Sequence, residues 1–280
     1  MSLREIPIAF ECGSEELIGI VSLPESPRSV GVLILVGGPQ VRTGSHRMFT
    51  LLARGLAKRR TASFRFDFRG MGDSGGAMRS FEDLGEDIAA AAAAFRQHAP
   101  AVSRFVLWGL CDGASAALLS LSGIPTVDGL VLVNPWVRTE SSHNQAMVRH
   151  YYGRRLAELA FWKKLFGGKM NLFLTTREFA KRVVATVRRK PVHNAADHAY
   201  VDRMLREWRR FPGKRHIVLS GQDLTAREFE DLLHGDRRWF PAEAGGPVTV
   251  CRIESADHTF SDRRDFDALI ETTCGFLQER

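Results

Sequence analysis

The chain has 280 residues and is 44% hydrophobic, enough for one large domain, or one domain with an insertion, around a sizeable core. The opening MSLREIPIAF holds no apolar run of signal-peptide length, and no later run approaches the roughly 20 apolar residues of a membrane span. The net charge of +7 is local: residues 138–214 carry 18 Lys+Arg against 6 Asp+Glu, leaving 21 basic and 26 acidic residues elsewhere.

Taken in chain order, 4–12 and 17–23 read as strands around a turn at Gly13-Ser14, an antiparallel opening pair. Residues 30–36, 62–68, 105–110, 130–133, 216–219 and 248–253 follow as short, mostly continuous apolar runs, the pattern of parallel strands covered on both faces. Between them, helical spacing predicts helices over 46–60, 81–98, 113–121, 226–233 and 266–277. Glu82, Asp83, Glu86 and Asp87 stand near the start of the second, where a helix dipole favours negative charge. Strands alternating with helices predict an α/β fold with an eight-stranded, mostly parallel sheet and helices on both faces.

Residues 138–214 break the alternation with Arg-rich and aromatic helical patterns and no convincing strand. That is too long for a loop, so a helical, basic cap inserted after strand 6 is expected. Residues 1–137 and 215–280 then form the two parts of the core. Cys12, Cys111, Cys251 and Cys274 form no CxxC pair, which argues against a zinc site or a disulfide framework and for a reduced, cytoplasmic setting.

The strongest local signal is FVLWGLCDGASAALL, residues 105–119. An apolar strand ends in Gly109-Leu-Cys111-Asp112-Gly113 and a small-residue helix begins. This is a nucleophile elbow, G-x-Nu-x-G, with cysteine as nucleophile. The sharp turn strains the central residue, and the glycines two positions away let strand and helix pass closely. The helix start favours a thiolate and, later, an oxyanion. A free cysteine is also commonly a small buried hydrophobe. The rival nucleophile, Ser115, would lie inside the helix. A second signal, DFRGMGDSGG at 67–76, follows an apolar strand. It lacks the Gly-Lys-Ser/Thr of a P-loop. Its Asp67, Arg69, Gly70, Gly72 and Ser74 match a structural D-x-R-G-x-G-x-S segment after the fourth strand of many α/β hydrolases.

With these motifs the chain resembles the α/β-hydrolase superfamily over nearly its whole length. GGPQVRTGSHR at 37–47, the Asp67 segment and Gly-Leu-Cys111-Asp-Gly most resemble the hydrolases associated with exosortase A systems, found beside exopolysaccharide and protein-sorting genes in Gram-negative bacteria. The resemblance implies a triad ordered nucleophile, acid, histidine. Asp223, after the strand 216–219, matches the acid, although it would also serve as a helix N-cap. The other acid position, after the strand 130–133, holds Asn134, a neutral amide. His258 stands between the last strand and the final helix, alone among nine histidines in that slot. Asp257 beside it is a poor triad acid. The implied oxyanion hole uses the N–H of Asp112 and one donor from the loop after Val36. Pro39 has no N–H, so Gly38 or Gln40 supplies it.

The resemblance thus implies an ester or thioester hydrolase working through an acyl-enzyme, without metal or organic cofactor. An acyltransferase using the same triad is the alternative, since cysteine elbows of this fold also occur in polyhydroxyalkanoate synthases. A non-catalytic binding protein of the same fold is a third reading. The substrate would be a small-molecule or carrier-linked acyl group. The basic segment suits an anionic ligand such as a CoA thioester or acidic glycan, or an anionic lipid surface met by Phe161, Trp162, Leu165 and Phe166 among lysines, or simply solvent. No nucleic-acid recognition motif accompanies the charge.

Overall fold

The computed structural model describes residues 2–124, 126–137, 195–240 and 246–278. Residues 3–24 become β1 (Leu3–Cys12) and β2 (Glu15–Pro24), paired antiparallel through a turn in which Gly13 takes φ 64°. The apolar runs become β3 (Val30–Leu35), β4 (Ser63–Phe66), β5 (Arg104–Leu110), β6 (Val127–Val133), β7 (Lys214–Ser220) and β8 (Val248–Ile253). They form one eight-stranded sheet, in the order β1-β2-β4-β3-β5-β6-β7-β8. β2 is antiparallel to both neighbours, and every later pairing is parallel. Because β3 lies between β4 and β5, the chain leaves its C-terminal edge towards one side and later returns on the other. Open α/β sheets bind ligands at such a switch point, beyond the carboxyl ends of the strands.

The helices are α1 (Met48–Lys58), α2 (Gly85–His98), α3 (Asp112–Leu119), α4 (Ala195–Arg210), α5 (Leu224–Gly235) and α6 (Arg263–Gln278). They cover both faces, and β5 shows how. Phe105 and Trp108 differ by an odd number of positions and so point to opposite faces. Phe105 meets Phe95 of α2 with ring centroids 5.7 Å apart, and Trp108 meets Phe49 of α1 at 6.0 Å. Trp108 also donates to Thr273 of α6, at 3.3 Å. Fully buried Val32, Leu33, Ile34, Leu107, Leu130, Val131 and Leu132 fill the centre of the sheet.

Two expected helices begin differently. His46 and Arg47 adopt left-handed φ of 53° and 62°, so a 3-10 turn (Ser45–Arg47) precedes α1. The predicted helix over 81–98 is two pieces, because Ser80 caps a separate 3-10 turn (Phe81–Asp83) and Leu84 turns away before α2. Glu86 and Asp87 do stand in the first turn of α2, but Asp87 points inward. It is buried and accepts from Arg69 N at 2.8 Å, Arg69 Nε at 2.6 Å and the Cys12 thiol at 3.7 Å.

Of the expected cap, 138–194 lies outside the described residues, including the aromatic-lysine cluster around Phe161. Within the same segment, α4 sends Met204 and Trp208 fully into the core. Buried Arg215 of β7 anchors its C-terminal end by donating to the carbonyls of Trp208, at 2.5 Å, and Phe211. A cation suits a helix C-terminus, while burial holds its pKa down at about 10. Among the described residues, no helix is long and apolar enough to cross a membrane.

Candidate active site

The end of β5 turns sharply into α3 at Cys111, whose backbone sits at φ 58°, ψ −125°. A non-glycine residue there is strained, and such strain persists only where its surroundings impose it. The flanking glycines impose it here. A Cβ on Gly109 would lie 2.5 Å from the Gly113 carbonyl oxygen, and one on Gly113 would lie 2.6 Å from that of Leu35. Strand, bend and helix therefore pass closer than side chains allow. Cys111 is partly exposed, while the other candidate, Ser115, is fully buried and donates to the Trp136 carbonyl at 2.6 Å.

Asp223 and His258 come from loops after β7 and β8, and the parallel register brings them together. His258 Nδ1 lies 2.8 Å from Asp223 Oδ2. Nε2 is thereby left unbound by Asp223, and the ring borders the same cavity as Cys111. Burial lowers the pKa of His258, but hydrogen bonds from Asp223 first and then Cys111 outweigh it and push the pKa up to about 10. The shift favours the protonated ring. The same Asp223 is also the N-cap of α5, accepting from Thr225 N at 3.2 Å and Ala226 N at 3.0 Å. The capping and pairing readings of this carboxylate hold together: a cap fixes the carboxylate that fixes the ring. Asp257 points away and accepts from Thr259 N at 3.1 Å and Ser261 N at 3.0 Å.

The loop after β3 faces the elbow. Gly37 belongs there because a Cβ would meet the Leu110 carbonyl oxygen at 2.0 Å. Gly38 takes φ 63° and aims its N–H at the Asp112 carboxylate. Gln40 N is engaged by the Gly38 carbonyl at 2.8 Å. Of the two donors considered from the sequence, Gly38 is the one facing α3.

The Asp67 segment braces this loop. Buried Asp67 accepts from Arg42 N at 2.5 Å, from the Arg42 guanidinium and from Asp73 N at 3.2 Å. Gly72 lets the turn pass over that carboxylate: a Cβ there would lie 2.2 Å from Asp67 Oδ2. Gly70 serves the same end, since a Cβ would lie 2.1 Å from Met78 N. Ser74 ties Asp67 to β2 by donating to its carbonyl at 2.7 Å and accepting from Ile18 N at 2.9 Å. Arg69 binds Asp87 and Glu86 instead.

Asn134 is the contributor that the sequence reading passed over. It is fully buried at φ 46°. Its amide donates to Ser220 Oγ at 2.9 Å and to the His258 carbonyl at 3.3 Å, and its oxygen accepts from Ser220 N at 2.9 Å. It therefore links the ends of β6 and β7 to the histidine loop. Its place after β6, the alternative acid slot, was the available signal. A carboxylate could not donate both bonds.

Cys111, Asp112 and His258 border a cavity of about 480 Å³, walled by Pro39, Phe81 and Trp136. That is within the range of small-ligand sites, mostly apolar with a few convergent polar groups. Among the described residues, no cluster of His, Cys, Asp or Glu could hold a metal ion.

Known proteins place this geometry in context. No curated protein matches the chain. Solved structures do. An esterase of Pyrococcus furiosus is 17% identical, with a TM-score of 0.65 over 99% of this chain and 91% of that one. A dienelactone hydrolase of Anabaena variabilis is 14% identical, at 0.58 over 99% and 98%. Est1E of Butyrivibrio proteoclasticus, solved with ferulic acid bound, is 16% identical, at 0.57 over 96% and 97%. At such identities the likeness establishes the fold. The Alpha/beta hydrolase family profile matches residues 32–272, spanning the elbow, the acid loop and the histidine loop, and the chain belongs to that family.

Proposed function

We propose that this protein hydrolyses ester or thioester bonds through a Cys111–His258–Asp223 triad and a covalent acyl-enzyme. The carrying observation is the Asp223 carboxylate held 2.8 Å from His258 Nδ1, with that ring bordering the same cavity as a sulfur presented on a strained bend. In this reading the thiolate attacks the acyl carbonyl, forming a C–S bond. The oxyanion is held by backbone N–H groups of Asp112 and Gly38, each worth about 3 kcal/mol in comparable sites. His258 Nε2 gives its proton to the leaving alcohol or thiol as that bond breaks. The now neutral ring takes a proton from water, whose oxygen attacks the thioester, releasing the acid and restoring the ion pair. Asp223 keeps the ring oriented throughout.

The apolar walls at Phe81 and Trp136 suit the acyl chain. The resemblance to exosortase-associated hydrolases extends the proposal to acyl groups of exopolysaccharide or protein-sorting pathways. Transfer to an alcohol or sugar would use the same acyl-enzyme, and product partition between water and added alcohols measures how much of the flux it takes. Cys111→Ala tests the proposal. It should lose turnover of p-nitrophenyl esters and acyl thioesters, and a variant hydrolysing both at the wild-type rate would end it.

A further inference from the structure

The Asp112 side chain lies where the proposed chemistry needs an empty space. The reaction requires two amides free to receive an oxyanion, one at Asp112 and one in the loop after β3. In that loop Pro39 has no N–H and Gln40 N is held by the Gly38 carbonyl at 2.8 Å, so Gly38 N is the donor facing the elbow. That donor is already engaged. Asp112 reaches across 74 positions of sequence to accept from Gly38 N through Oδ1. Asp112 is also the first residue of α3, where the backbone amides of a helix start suit an anion.

We infer that the Asp112 carboxylate is the resting occupant of the oxyanion hole and sets substrate specificity, because an acyl donor reacts only by displacing it from Gly38 N–H. This rests on the triad reading for its consequence, though not for the contact itself. The side chain is partly buried beside His258 at the cavity floor. Burial raises its pKa, against the opposing pull of the Gly38, Gly113 and Asp112 amides and of the His258 charge. A carboxylate already penalised by burial leaves its amides readily only for a comparable acceptor. The oxyanion formed from any acyl donor is one, since it carries full charge. An activated ester or thioester, with an earlier transition state and less charge on oxygen, depends least on these amides, and an unactivated ester or amide depends on them most. The expected substrates are therefore activated acyl donors, and removing the carboxylate should widen the range.

Asp112→Ala, with Asp112→Asn as the isosteric control, tests this by three readouts. In amide NMR spectra, the Gly38 N–H of Asp112→Ala should move upfield from its wild-type position as the carboxylate bond is lost. Its kcat/KM for an unactivated ethyl ester should rise roughly ten- to hundredfold, the net worth of a hydrogen bond to a charged group. Alkylation of Cys111 by iodoacetamide, which forms no oxyanion, should change far less than the ester turnover does. Asp112→Asn keeps a neutral acceptor in the hole and should gain less. An unmoved Gly38 amide overturns the inference whatever the enzyme catalyses. So does a fall in ester turnover at unchanged alkylation, which would make Asp112 an aid to the oxyanion. Failure of the triad reading shows separately, as undiminished turnover in Cys111→Ala.

Discussion

Replacing Asp223 by alanine or by asparagine separates its two roles, which share one carboxylate. As the N-cap of α5 it accepts from Thr225 N and Ala226 N, and as the partner of His258 it sits 2.8 Å from Nδ1. Alanine removes both. Losing a cap costs about 1 kcal/mol, which in a domain of this size lowers Tm by about 2–4 °C. Asparagine caps nearly as well as aspartate, so Asp223→Asn should melt within about a degree of wild type. The chemistry should not survive so well. A hydrogen bond to a charged group has a net worth of about 1.5–3 kcal/mol, or roughly 10- to 150-fold in rate. An amide also holds the ring in the wrong tautomer, and that effect alone reaches about 10⁴ in a related triad. Asp223→Asn should therefore lose about 10²- to 10⁴-fold in kcat for a p-nitrophenyl ester while keeping its melting temperature. Activity within about tenfold of wild type, or a melting temperature as low as that of Asp223→Ala, would refute the reasoning.

Three further outcomes are expected. The folded pKa of His258 stands above 6.5, so its contribution to stability is complete below pH 6.5 and fades as the pH rises through about 10. The Tm advantage of wild type over His258→Gln should shrink across that window, and a widening gap would contradict it. Asn134→Gly keeps the positive φ but loses the bonds to Ser220 and the His258 carbonyl. It should lower kcat by about five- to tenfold with little change in KM, whereas a rise in KM alone would assign Asn134 to substrate binding. Gly113→Ala would put a Cβ 2.6 Å from the Leu35 carbonyl oxygen and should abolish soluble protein, while Gly123→Ala, with nothing within 4 Å of its Cβ, should be tolerated. Soluble yield and thermal melting compare the two.

Parallel strands were legible as continuous apolar runs because both their faces are covered, and Gly109-Leu-Cys111-Asp112-Gly113 was legible because the bend excludes side chains on either side of it. Asp223 and His258 came from the order of elements implied by resemblance, and the fold brings them into contact. Other features depend on contacts that local pattern does not carry. Gly85 marks where the predicted helix breaks, a signal the sequence reading ran through, while nothing local shows that Asp87 turns inward to Arg69, 18 positions earlier. Asn134 was set aside as a neutral amide in an acid slot. Its value is that it donates and accepts together across two strands and a loop. The direction of the Asp112 carboxylate depends on Gly38, 74 positions away, and no periodicity could reveal it.

Mapping the acyl-enzyme is the most direct test of the central claim. The protein is mixed with a p-nitrophenyl ester, quenched in acid within the first turnover, digested and sequenced by mass spectrometry. The account predicts one acyl group per chain, on the peptide carrying Cys111, and none on that peptide in His258→Gln. An acyl group on Ser115, or turnover with no covalent adduct at any time, would contradict it.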